Sequence, residues 1–257
     1  MKSNSPTPKK TLPPHLNERN CLPVSHPEFL YPTSRNIYSK KLESFQNLGF
    51  ADQNTEIHQG HWREQFLSPI LETPLHVEIG CNGGHVLLEW AKQNPKQRYI
   101  GLDWKYKQIY RACEKADKYS LKNTLFLRSH ADRIRYVFGE SEIDYLYLFF
   151  PDPWQKKSQQ KNRTLQAHWL SEVAQLMKKG GVFHIKTDHH AYFEFMLEEI
   201  SNCEKKSGPL WTSTELTWDL HKDHPNPLKL NFPEVTLFEK LFIKDKVPIK
   251  SIKLIRN

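Results

Sequence analysis

From Leu75 onward the chain alternates short β-rich runs with stretches whose apolar residues recur every three or four positions, the pattern of strands interleaved with amphipathic helices. Leu75–Gly80, Arg98–Asp103, Thr124–Leu127, Ile143–Phe150 and Val182–Thr187 read as strands. Ile143–Phe150 is apolar enough to lie centrally, covered on both faces. The helical period is carried first by Leu87, Leu88 and Ala91, and then by Ile109, Ala112, Cys113 and Ala116. A third helix runs through Leu165, Trp169, Val173 and Leu176, with Gly180-Gly181 as its expected stop, and Tyr192 to Ile200 predicts another. Such alternation predicts an α/β fold with a mostly parallel, doubly wound sheet, which binds ligands beyond the carboxyl ends of its strands. Upstream, residues 34–68 predict one or two amphipathic helices through Ile37, Leu42, Phe45, Leu48, Trp62, Phe66 and Leu67. Downstream, residues 204–234 contain Pro209, Pro225, Pro227 and Pro233 and read as irregular. Val235–Phe242 and Ile249–Ile255 are expected to pair as a terminal antiparallel hairpin.

Composition narrows the picture. Of 257 residues, 38% are hydrophobic and 12% aromatic, enough for a sizeable core, which excludes disorder of the whole chain. The longest apolar stretch, ending at Phe150, is too short to cross a bilayer, and Met1–Lys10 has no apolar signal core. Four scattered cysteines, Cys21, Cys81, Cys113 and Cys203, indicate neither a disulfide framework nor a zinc knuckle, and no metal is expected. A soluble, cytoplasmic protein is the expectation. Residues 1–33 hold seven of the 17 prolines and a small basic excess, and read as a disordered tail before a single domain over 34–257. The net charge of +8 makes a polyanionic partner plausible without requiring one.

The chemistry clusters at strand ends. Glu78-Ile-Gly-Cys-Asn-Gly-Gly84 follows the first strand and opens a helix, and its glycines allow a sharp turn and close approach of a ligand. Asp103, at the end of the second strand, is placed to accept hydrogen bonds from ribose hydroxyls. A plain tight turn, a dinucleotide and S-adenosylmethionine all remain open on this pattern. The acid Glu78 beside the turn favours the last, which carries an ammonium and a sulfonium. After the fourth strand, Phe149-Phe-Pro-Asp-Pro-Trp154 fixes Asp152 between two prolines and sets Trp154 either to stack on a base or to cap the core. Lys156, Lys157, Lys161 and Arg163 follow with no acid among them, a solvated face or a phosphate contact. Lys186-Thr-Asp188 ends the fifth strand, and His189 and His190 after it receive no metal role for want of further ligands.

Glu78-Ile-Gly80, Tyr99-Ile-Gly-Leu-Asp103, Leu148-Phe-Phe-Pro-Asp-Pro-Trp154, Gly180-Gly-Val-Phe-His184, Lys186-Thr-Asp188 and Thr236-Leu-Phe-Glu239 together resemble the bacterial tRNA (guanine-N7)-methyltransferases. Ser34–Lys40 and Gly60-His-Trp62 extend the resemblance upstream, and Val247-Pro-Ile249 downstream. The resemblance implies a Rossmann-like methyltransferase fold and S-adenosyl-L-methionine as methyl donor. It implies tRNA as partner and methylation at N7 of a variable-loop guanosine, position 46. Glu78, Gly80, Asp103, His130 and Asp152 would line the donor pocket, with Asp152 also catalytic, while Lys156, Asp188, Thr236 and Glu239 would contact the guanosine. This sequence departs from the family pattern at Asn82 in the turn and at His130, where the family has an acid. It also departs in the polar Gln155, Ser158, Gln159, Gln160 and Asn162 that thin the basic stretch. These departures keep two alternatives in view: a non-catalytic RNA-binding protein on the same fold, and a methyltransferase with another substrate.

Overall fold

The computed structural model describes residues 26, 36–67, 72–224 and 235–257. The Pro-rich tail reading thus lies, apart from His26, outside the described residues, as does the stretch 225–234. The described strands form one eight-stranded sheet: β1 (Gly49–Ala51), β2 (Leu75–Ile79), β3 (Arg98–Asp103), β4 (Thr124–Arg128), β5 (Ile143–Phe149), β6 (Met177–Thr187), β7 (Trp211–Thr217) and β8 (Lys250–Arg256), in the order β1-β4-β3-β2-β5-β6-β8-β7. Pairing is parallel from β1 through β6, and β8 runs antiparallel to both β6 and β7. The chain leaves β2 toward β3 on one side and later fills β5 on the other, so the carboxyl end of β2 is the topological switch point.

Alternation along the strands divides the core into two layers. Tyr99, Phe126, Tyr147 and Phe149 face one side. They pack with Leu87, Trp90 and Ala91 of α2 (His85–Gln93) and with Ile109, Ala112 and Cys113 of α3 (Tyr106–Lys118). Val77, Ile100, Leu125, Leu148, Phe183 and Ile185 face the other, against Trp169, Leu170 and Val173 of α5 (Ala167–Leu176) and Phe193 and Met196 of α6 (His190–Ser207). A short α4 (Ile134–Val137) lies between β4 and β5.

Several expectations are corrected by this architecture. The segment 36–67 forms only α1 (Ile37–Leu42), β1 and single 3-10 turns, because its apolar residues serve opposite faces of the sheet. Leu42 joins the α2/α3 layer, Trp62 and Phe66 join the α5/α6 layer, and Ile37 and Leu67 stay exposed. The buried carboxylate of Glu142 fastens this segment, accepting the amides of Gly60 at 3.0 Å and Trp62 at 2.8 Å. Gly180-Gly181 does not stop a helix: α5 ends at Leu176, and Met177 is already extended as the first residue of β6. The C-terminal antiparallel pair exists, but Val235–Phe242 is not part of it. Leu237–Lys244 is helix α8, started by a capping box between Thr236 and Glu239, and the partner of β8 is Trp211–Thr217, from the stretch read as irregular. A one-turn helix α7 (Leu220–Asp223) follows β7.

Candidate active site

The carboxyl ends of β2, β3, β4, β5 and β6 open on one edge, and the residues singled out for chemistry gather there. Glu78 sits in β2 opposite Gly101 of β3 and Tyr147 of β5. It is 5% exposed, and its Oε2 finds no hydrogen-bond partner among the described residues. Burial, with the Asp103 carboxylate nearby adding to it, pushes its pKa up to about 8. A buried carboxylate with an orphan oxygen is costly unless a donor arrives. The turn beyond it needs two left-handed glycines, Gly80 (φ 76°) and Gly84 (φ 69°). A Cβ on Gly80 would meet nothing within 4 Å, whereas one on Gly84 would strike the Phe126 ring at 2.9 Å. The first glycine therefore leaves open space at the edge, and the second lets the start of α2 press onto the sheet. Asn82 takes the left-handed conformation too (φ 52°), which asparagine tolerates better than most residues.

Asp103 is held by the turn. Its Oδ2 accepts the Asn82 amide at 3.1 Å and its Oδ1 the Lys105 amide at 2.8 Å. Burial raises its pKa against the lowering effect of those two amides and the Lys105 charge, and the Asp152 carboxylate adds a further upward push. Glu78, Asp103 and Asp152 are thus close enough to sense one another in that order. His130, past the end of β4, is partly buried, and its Nδ1 accepts the Asp132 amide at 3.3 Å, capping a 3-10 turn.

The loop after β5 carries Asp152 exposed between its prolines. Phe150 (φ 51°) and Trp154 (φ 44°) both adopt left-handed backbone, which is strained for aromatic residues. Three contacts hold that strain. The Phe150 amide donates to the Lys186 carbonyl at 2.8 Å, Arg163 Nε donates to the Pro153 carbonyl at 2.9 Å, and the Phe150 ring lies 5.4 Å from Phe242 of α8. Arg163 is 4% exposed, its guanidinium lying 4.7 Å from the Tyr192 ring and 4.6 Å from the Phe195 ring. It is a clamp on the loop rather than a phosphate contact, a correction to its reading as one of four surface cations. Lys156, Lys157 and Lys161 remain exposed.

At β6 the arrangement also differs from expectation. Lys186 is 5% exposed, and its Nζ donates to both oxygens of Glu239, at 3.2 and 3.1 Å. Glu239, 1% exposed, also meets His221 Nε2 of α7 at 2.9 Å and accepts the Thr236 amide at 3.3 Å. Thr236 and Glu239 thus fasten α8 across the edge of the sheet, and their polar atoms are engaged within the protein. Asp188 lies at the rim, its carbonyl accepting Lys250 Nζ at 2.8 Å. His189 caps α6 through an Nδ1 that accepts the Tyr192 amide, and His190 pairs with Glu194. The clamping role of Arg163, and His221 altogether, escaped sequence reading because their partners lie 10 to 32 positions away, with no local signature of the contact.

Comparison with known proteins gives the family. A family described as "Putative methyltransferase" matches residues 72–251. A tRNA (guanine-N(7)-)-methyltransferase of Lachnoclostridium phytofermentans is 33% identical over 87% of this chain and 98% of its own length. Its counterparts from Bdellovibrio bacteriovorus and Bacillus subtilis are 30% identical over 82% and 34% identical over 70% of this chain, covering 96% and 80% of themselves. The chain belongs to this methyltransferase family. The matched span begins just before β2 and ends in β8, so the family region contains the whole carboxyl edge. The fold of the 16S rRNA methyltransferase KamB is similar, with a TM-score of 0.52 at 15% identity over 81% of this chain and 95% of that one. Among the described residues, no helix is long and apolar enough to cross a membrane.

Proposed function

We propose that the protein methylates N7 of a variable-loop guanosine, position 46, in tRNA, with S-adenosyl-L-methionine as donor, in the cytoplasm. The observation that carries this reading is the meeting of the buried, underpartnered Glu78, the braced Asp103 and the clamped Asp152 at one sheet edge, in a chain whose relatives bear that enzyme's name. Residues 34–257 act as the methyltransferase unit, preceded by the tail.

The residues at the edge fit the donor. The orphan oxygen of Glu78 suits an ammonium group, the open space at Gly80 admits a chain against the backbone, and Asp103 suits the two ribose hydroxyls. His130, whose Nδ1 is taken by the Asp132 amide, would offer Nε2 to the adenine. The donor supplies an electrophilic methyl group. Guanine N7 carries an in-plane lone pair, so no base is needed to create the nucleophile, and the protein's task is to hold N7 in line. As the purine gains positive charge, Asp152 stabilises it from a loop that Pro151, Pro153 and Arg163 keep from relaxing. Lys156 reaches the adjoining phosphate, and Asp188 approaches the guanosine from the rim. Thr236 and Glu239 contribute once guanine donors exchange with those of Lys186 and His221.

The test is mass spectrometry of nucleosides from unmodified tRNA after incubation with pure protein and donor. Appearance of 7-methylguanosine at one variable-loop site is expected. Binding of tRNA with no binding of the donor would replace this reading with a non-catalytic RNA-binding role, and transfer to protein or small molecules alone would replace its substrate.

A further inference from the structure

On the opposite side of the crevice from the Asp152 loop, α3 carries a row of cations that the proposed chemistry does not use. Trp104, Lys107, Arg111 and Lys118 are exposed and recur at spacings of three, four and seven, which places them on one face of the helix and its lead-in. Lys115, partly buried, completes the row and donates to the carbonyl of Gly83 at 3.0 Å, tying it to the glycine turn. Lys105 is exposed beside it, its Nζ 5.4 Å from the centre of the Trp104 ring, which is itself 49% exposed. Helix α1 packs alongside through Tyr38 on Tyr110, as does Phe45 of the 3-10 turn that follows it, and α1 adds Lys40 and Lys41.

Apart from Lys115, whose Nζ ties the helix to the glycine turn, the spacing of this row works against the helix. Lys107, Arg111 and Lys115 follow one another at four-residue spacing, and like charges so placed destabilise a helix. After burial, the nearby Arg111 is the next cause lowering the pKa of Lys115. No ion pair with a described residue neutralises Lys105, Lys107, Arg111 or Lys118. Of the two acids on the helix, Asp117 is turned away from the row by its position, whereas Glu114, one turn from Arg111 and Lys118, offsets part of the charge while accepting the Tyr110 hydroxyl at 3.2 Å. A net cationic row of about 16 Å, from Lys107 to Lys118, headed by an exposed indole, has the composition that tracks a nucleic-acid backbone and stacks an unpaired base.

We propose that the outer face of α3, with Trp104 and the lysines of α1, is a second RNA-binding surface, which holds a part of the tRNA remote from the methylated loop. This rests on tRNA being the substrate. The surface starts at the crevice rim, where Trp104 follows Asp103, and runs down the side of the sheet, so one polyanion can engage it and the Lys156 loop together. Binding at two such surfaces makes full-length tRNA a better ligand than the isolated loop.

The experiment measures binding of full-length tRNA and of a stem-loop containing only the target guanosine, over a range of salt. It uses the wild-type protein, Lys107→Ala/Arg111→Ala and Trp104→Ala. For full-length tRNA, the double variant is expected to bind on the order of tenfold more weakly near physiological salt, with a salt slope shallower by about 1.4–1.8 for two lost phosphate contacts. Trp104→Ala is expected to weaken binding severalfold without changing the slope. Stem-loop and donor binding should match wild type in both variants, which also verifies folding. Wild-type affinity and slope in the double variant would overturn the proposal, as would equal weakening of the stem-loop. Wild-type protein that binds tRNA but never methylates it would instead overturn the proposed function and leave this surface standing. Wild-type protein that binds no tRNA would overturn both.

Discussion

Glu78 and Asp152 show how differently two carboxylates at one edge are handled. Glu78 is buried with an unpartnered oxygen, and its pKa stands at about 8 in the fold against an ordinary 4.5. Between those values the unfolded chain has released the proton and the folded one has not, so the folded state loses stability as pH rises across that window, and the loss is complete above it. Glu78→Gln removes the titration. Its stability relative to wild type is therefore expected to improve from pH 4.5 to about 8 and then level off, read from denaturant midpoints at several pH values. A difference that stays constant with pH would show that Glu78 is ionised throughout. The same variant is expected to bind the donor more weakly, the usual relation between an unstable buried charge and function. Asp152, in contrast, is exposed, and no fold contact depends on its carboxylate among the described residues. Asp152→Ala is expected to lower methyl transfer by on the order of a hundredfold with little change in unfolding midpoint, and near-normal turnover would remove it from the mechanism.

At the scale of elements, the substrate side of the edge is assembled by long-range contacts. Lys186 of β6, His221 of α7 and Glu239 of α8 form one buried cluster that binds three elements together. Lys186→Met leaves Glu239 buried without its cation, at an expected cost of about 3–5 kcal/mol, and Lys186→Met/Glu239→Gln recovers a large part of it. Thermal or chemical unfolding of both variants checks this, and equal destabilisation would show that the charge pair is not the source. The Asp152 loop depends in the same way on α6, whose Tyr192 and Phe195 rings both lie against the Arg163 guanidinium. Arg163→Lys lacks the planar fork and its stacking. It is expected to lower kcat, by up to about a hundredfold if the loop shifts by 1 Å, with donor affinity held. Donor affinity falling in step with kcat would argue against a role confined to the loop.

For the whole molecule, the fold redistributes the charge that the sequence counts. The cations between 151 and 186 form one group along the chain, yet Lys178 and Lys179 lie at the far end of β6, and Lys186 and Arg163 are buried. Lys156, Lys157 and Lys161 are what remains of that group beside the loop. Lys156→Ala/Lys157→Ala is accordingly expected to weaken tRNA binding and flatten its salt dependence by about 1.4–1.8 in log–log slope, as measured by binding titrations at several salt concentrations. An unchanged slope would place the phosphates elsewhere.

Local periodicity determined the central strands, the α2 and α3 helices and the turn chemistry at Glu78, Gly80 and Asp103, because each is written within a few consecutive residues. The same holds for the Pro-Asp-Pro loop, where two prolines restrict the backbone whatever surrounds it. Tertiary structure decided the rest. Leu237–Lys244 carries apolar residues that suit a strand, but the capping box and the buried Lys186–Glu239 pair favour a helix, and Trp211–Thr217 became the strand because β8 offered it a ladder of backbone partners. Whether a lysine or arginine meets solvent or an aromatic pair depends on residues far along the chain, and that information exists only once the sheet has brought them together.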